Sequence, residues 1–165
     1  EIGKIVAERV RDLSRKPESE SVLVLAHGAG DDKLNLRWVD RIEQISGEIR
    51  RIGAFQDIRV ETLREDWRDK RKIAVQRIRD FVVQGASIGE VLVVPFRVYG
   101  FGPYESVLEG LHYRADGRGL LPHPLVTEWL MKEASRCFRE QGWHNPFQKT
   151  SRQCEHSAAA AQQRF

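Results

Sequence analysis

Few side chains in this chain have both the type and the spacing to do chemistry. His27 directly follows a continuous apolar run, residues 21–26 (SVLVLA), and precedes Gly28 and Gly30. A neutral imidazole at such a point can ligate a metal or accept a proton near pH 7, or it can simply bond its own loop. Glu105 and Glu109 lie four apart, just past a second apolar run at 90–95 (EVLVVP). That spacing puts both carboxylates on one face of an expected helix. In its first turn, Glu105 is either a working carboxylate or a complement to the helix dipole. His123, inside Pro122-His123-Pro124, is either a pocket-lining ligand or a packed turn residue. Arg64, Arg68, Arg97 and Arg114 fall in loops or at element ends. They suit bidentate binding of carboxylates, or else form solvated surface charge. Phe96, Tyr99, Phe101 and Tyr104 offer either a flat apolar wall or core.

The elements that must position these groups follow from periodicity. Residues 2–13 place Ile2, Ile5, Val6, Val10 and Leu13 on one helical face. A long helix is expected over 34–52, stopped by Gly53, and another over 70–84, stopped by Gly85. Residues 57–64 alternate as a more exposed strand, whereas 21–26 and 90–95 read as strands buried on both faces. A short helix over 104–112, a weak strand over 119–121 and a last helix over 125–138 follow. Strands alternating with helices imply an α/β fold, a parallel sheet between two helical layers. The expected architecture is a three-layer, flavodoxin-like domain with a four-stranded parallel sheet in the order 2-1-3-4. Ligands then bind outside the carboxyl ends of the central strands, where His27 and the 97–105 loop emerge.

Composition bounds the function. With 165 residues, 41% hydrophobic and 31% charged, the chain can fill one core. No stretch approaches the roughly 20 apolar residues of a membrane span. A net charge of +3, spread along the chain, does not indicate nucleic-acid binding. Two cysteines exclude a disulfide framework and fit a reducing compartment. A hydrolase reading takes His27-Gly28-Ala29-Gly30 as an oxyanion loop. It needs a strand–G-x-S-x-G–helix elbow, and the only match, Gly85-Ala86-Ser87-Ile88-Gly89, sits between a helix and a strand.

Three segments carry a family resemblance. V-L-V-L-A-H-G-A-G-D-D resembles the first strand and loop of sirohydrochlorin cobalt/iron chelatases. V-L-V-V-P-F-R-V-Y-G-F-G-P-Y-E-S-V-L-E-G-L and G-L-L-P-H-P-L-V-T-E-W-L resemble later segments of class II tetrapyrrole chelatases. The resemblance spans roughly 20–140. It implies that His27 handles metal and that Glu105 takes the place of a ferrochelatase-like Glu. Sirohydrochlorin chelatases carry a second histidine where this chain reads Tyr99-Gly100-Phe101-Gly102.

The expected function is insertion of a divalent metal, cobalt or iron, into a tetrapyrrole of cobalamin, siroheme or heme biosynthesis. The expected site has His27 and Glu105 as catalytic residues and His27, Glu105 and His123 as metal-handling ones. Arg64, Arg97, Tyr99, Phe101, Tyr104 and Arg114 complete it as substrate-binding residues. The metal is a substrate, no permanently bound cofactor is expected, and a cytoplasmic setting fits. A non-catalytic metal- or tetrapyrrole-binding domain is the alternative. The opening helix, within 1–15, reads as the end of a preceding repeat, so a second chelatase-like repeat or a homodimer is the expected partner. Residues 16–142 form the α/β domain, and 143–165 an unpatterned tail expected to be disordered.

Overall fold

The computed structural model describes residues 1–140, and the expected tail lies outside them. One compact unit spans Glu1–Val126, and a second begins at Thr127. The element order is α1 (Ile2–Leu13), a 3-10 turn (Pro17–Ser19), β1 (Glu20–Ala26), α2 (Asp32–Ser46) and α3 (Ile49–Ile52). Then come β2 (Asp57–Thr62), α4 (Arg68–Ile88), β3 (Glu90–Phe96), α5 (Tyr104–Val107) and α6 (Pro124–Glu140).

The three strands form a parallel sheet in the order β2-β1-β3. β1 is buried along its whole length, which is why its sequence is continuously apolar rather than alternating. Its side chains still divide by the two-residue period of a strand. Val22, Val24 and Ala26 join Val6, Val10, Ile42 and Ile49 in one core, with Leu92 and Val94 of β3. Leu23 and Leu25 face the other way, with Ile78, Phe81 and Val82 of α4 and with Tyr104. Helices thus cover both faces. Among the described residues, no helix is long and apolar enough to cross a membrane.

Four expectations need correction. The helix over 34–52 breaks into α2 and α3 at Gly47, a poor helix former, and Ile49 beyond the break is fully buried. Gly85 does not stop α4, which runs on to Ile88. A β-carbon at Gly85 would lie 2.5 Å from a Val91 methyl, so the glycine allows close approach of helix to sheet. The short helix ends at Val107 rather than 112, and Gly110 turns the chain at φ +76°. Among the described residues there is no fourth strand. Arg114 makes a single parallel bridge beside Leu92, and Leu120 and Leu121 donate to Arg97 and Val98. Gly117, at φ +70°, and Gly119 lie between these contacts. They keep the segment from continuing as a ladder.

α1 lies within the same compact unit as the sheet, with Ile5, Val6 and Val10 fully buried. Arg9, also buried, donates to the carbonyls of Gly119 and Pro122 at 3.3 Å each. The chain then enters β1 through Glu20, which is only 2% exposed. Its carboxylate accepts from Ser14 Oγ at 2.5 Å and from the backbone N–H of Arg15 and Lys16 at 2.9 and 3.2 Å. Arg114 Nη1 adds a contact at 3.3 Å. Burial pushes this carboxyl up. The Ser14 and backbone hydrogen bonds and the Arg114 charge outweigh that and hold it below its ordinary value of 4.5.

A carboxyl depressed in the folded state contributes stability that is full above the ordinary value and is lost as pH falls through the lowered one. Glu20→Gln is expected to destabilise the fold by about 3 kcal/mol, as breaking a buried ion pair does. It should also flatten the acid-side loss of stability in urea titrations taken at stepped pH. An unchanged acid limb would show that Glu20 does not carry it.

Candidate functional site

The carboxyl end of β1 delivers His27 into a loop that is bound from several sides. Asp31 caps α2 by accepting from the Leu34 N–H at 2.7 Å. Asn35 Oδ1 accepts from the Ala29 N–H at 2.9 Å and from Thr62 Oγ1 at 3.1 Å. Gly28 sits at φ +84°, where a β-carbon would also strike Asn35 and Thr62. Glycine is the residue that such a backbone allows.

Arg64 holds the rest of the loop. It follows β2 with φ +56°, an uncommon conformation for a non-glycine residue. Its own N–H donates to the His27 carbonyl at 2.7 Å. Nε donates to the Ala29 carbonyl at 2.7 Å, Nη2 to the Gly30 carbonyl at 2.5 Å, and Nη1 to Asp32 at 2.6 Å. Lys70 reaches the same two groups, Gly30 and Asp32, at 2.6 and 2.8 Å. Hydrogen bonds from Lys70 and then Arg64 hold the Asp32 carboxyl below its ordinary range. Expected to bind substrate, Arg64 is instead spent on the loop.

His27 emerges from this frame partly exposed, between two carboxylates. Nδ1 lies 3.4 Å from Glu65 Oε1 and Nε2 lies 3.1 Å from Asp66 Oδ2. The two carboxylates differ. Glu65 is mostly buried and is paired at 2.6 Å with Arg97 Nη1, whereas Asp66 is 70% exposed. The Trp67 indole meets the His27 ring edge-on, with centroids 6.0 Å apart. It also covers Gly30, where a β-carbon would collide with it.

The other expected site residues scatter. Arg97 is committed to Glu65, and its guanidinium stands 5.5 Å over the Tyr104 ring. Tyr104 is fully buried, and burial pushes its phenol well up, so it is core rather than an open wall. Phe101 stacks on Tyr113 at 6.2 Å and meets Tyr104 edge-on, while Tyr99 is exposed. Arg114 pairs with Glu20 and Glu90, the first residues of β1 and β3. That is the amino end of the sheet, opposite His27. His123 is buried; Nδ1 accepts from the Leu125 N–H at 3.2 Å, and Nε2 lies 3.4 Å from Glu8 of α1. It starts α6 and braces α1, so neither nitrogen is turned to the His27 site.

Glu105 and Glu109 line an open depression of about 560 Å³ with Ser106, Leu108, Leu111 and Tyr113. Burial, and then the Glu105 charge, push the Tyr113 phenol up. Among the described residues Glu105 forms no ion pair or hydrogen bond with His27. The structure brings His27 together with Glu65 and Asp66, two residues that sequence reasoning passed over. They follow β2 as His27 follows β1, so the strand-end rule that selected His27 could also have selected them. Among the described residues, no three His, Cys, Asp or Glu side chains form a metal-holding group. The hydrolase elbow is absent as well: Ser87 lies inside α4 and donates to the Gln84 carbonyl.

Removing Arg64 tests whether the loop depends on it. Arg64→Ala is expected to lower the thermal midpoint and to speed exchange of the Ala29 amide by at least about tenfold, since each charge-assisted bond is worth about 1.5–3 kcal/mol. Arg64→Gly should be about 1 kcal/mol more stable than the alanine variant, because glycine removes the left-handed strain. Wild-type exchange at Ala29 in both variants would contradict the assigned role. In comparison with known proteins, no protein-family model matches the chain, and neither a curated protein nor a solved structure matches it.

Proposed function

We propose that this domain inserts a divalent metal, cobalt or iron, into a tetrapyrrole. The observation that carries the reading is His27, partly exposed at the carboxyl end of the central strand with a carboxylate at each ring nitrogen. The sequence resemblance supports it. Metallation requires a metal to shed water and two pyrrole N–H protons to leave. An imidazole flanked by carboxylates can take an ion or a proton on one nitrogen while the other is steadied. In this reading Glu105, in the segment after β3, supplies a further carboxylate base. Tyr99, with exposed Trp67, offers aromatic surface to the macrocycle. A second copy or a second repeat would complete the partner set, and the activity belongs in the cytoplasm.

A second reading, tetrapyrrole or metal binding without catalysis, is favoured by one observation. Arg64 and Arg97 are spent on internal partners and Arg114 lies at the other end of the sheet. Few of the expected cations remain to grip a macrocycle's carboxylates.

Anaerobic insertion assays with Co(II), Ni(II) and Fe(II), across several tetrapyrroles, separate the two. Insertion is expected, with His27→Ala slowing it by about 100-fold or more, the scale of lost acid–base catalysis. Absorbance shifts without metallation would favour the binder. Insertion undiminished in His27→Ala would overturn the role given to this histidine.

A further inference from the structure

Asp66 flanks His27, and the proposed function gives its carboxylate no chemistry of its own. Its carboxylate is exposed, and among the described residues His27 is its only ion-pair partner, with Oδ2 at 3.1 Å from Nε2. The opposite side of the ring is built differently. Glu65 is mostly buried and held by Arg97, so its Oε1 is a fixed negative oxygen 3.4 Å from Nδ1. A metal-ligating histidine ordinarily donates its second ring N–H to such a carboxylate, which fixes the tautomer. With the proton on Nδ1, Nε2 presents a lone pair on the side of Asp66.

The span between these two atoms has a chemical meaning. Metal–imidazole and metal–carboxylate distances are each about 2.0–2.2 Å, so two neighbouring ligands of one ion stand roughly 3 Å apart. The observed 3.1 Å is such a bite. One imidazole and one carboxylate suit a first-row divalent ion rather than calcium or magnesium.

We propose that His27 Nε2 and Asp66 Oδ2 form a two-point docking site for a borderline divalent cation, with its remaining positions open to water or to an incoming nitrogen ligand. Only the purpose of the site rests on the proposed function. Two protein ligands capture an ion without enclosing it, which is what a metal to be handed on requires. Asp66, rather than Glu105, is then the carboxylate that shares the ion with His27.

The test is titration of the full chain with Co(II) alone, followed by visible absorption and calorimetry. One ion is expected to bind. Asp66→Asn should weaken it by about tenfold or more, and His27→Ala should abolish it. Asp80→Asn, which changes an exposed carboxylate on α4, should leave it unchanged. Equal affinity in Asp66→Asn and wild type, or undiminished binding in His27→Ala, overturns the site. Because Asp66 is exposed, its variant is expected to fold as wild type, which circular dichroism checks. Failure here is separable from failure of the proposed function. Co(II) binding that needs Asp66, in a chain that inserts no metal, keeps the site and removes the function. Insertion with Co(II) affinity indifferent to Asp66 removes the site and leaves the function.

Discussion

The guanidinium of Arg64 is the interaction on which the rest of the site depends. A loop between a buried strand and a helix carries carbonyls that need partners, because unpaired polar groups near a core are costly. Two of them, from Ala29 and Gly30, are taken by this one side chain, which also binds Asp32 at the start of α2. The backbone of Arg64 adopts a left-handed conformation to do so. That strain costs about 1–2 kcal/mol and is offset by three hydrogen bonds from a charged group. The same residue pairs with the His27 carbonyl, so the loop and the end of β2 are one unit. Glu65 and Asp66 come next in the chain. Their position against the imidazole is a direct consequence of how Arg64 is held.

Arginines do comparable work at both ends of the sheet. At the amino end Arg114 ties the first residues of β1 and β3 together and reaches back to the Leu13 carbonyl. At the carboxyl end Arg97 neutralises Glu65 and lies over Tyr104. Gly102 lies against Arg97, where a β-carbon would meet the guanidinium. Cations that a sequence presents as ligand-binding groups are here internal struts. What is left open at the carboxyl end includes the His27 ring, Asp66, the edge of Trp67 and, past β3, Val98 and Tyr99.

Much of the frame was legible because it rests on local pattern. The unbroken runs at 21–26 and 90–95 announce strands buried on both faces, and they stand side by side in the parallel order expected. His27 was legible for the same reason, as the polar residue at the end of the most buried strand. Glu65 and Asp66 follow a strand end as well but were passed over, since β2 is the exposed strand and its charged end reads as surface. Their place beside His27 arises from register: β1 and β2 run parallel with Ala26 opposite Thr62, and the Arg64 N–H bonds the His27 carbonyl, so the segments past each strand meet. The roles of Arg64, Arg97 and Arg114 also lie in contacts between residues far apart in sequence, which periodicity does not encode. The fourth strand failed because two leucines between Gly119 and Pro122 cannot sustain a ladder, although their backbone still bonds Arg97 and Val98 just past β3.

The central claim is that Glu65, fixed 3.4 Å from Nδ1, favours the His27 proton on that nitrogen and leaves Nε2 facing Asp66. Long-range proton–nitrogen NMR of the ¹⁵N-labelled chain at neutral pH reads this directly. The account predicts a His27 signature with a protonated Nδ1 and a lone pair on Nε2, and a selective shift of Nε2 when Zn(II) is added. A ring protonated on Nε2, or averaging freely between both forms, would contradict it.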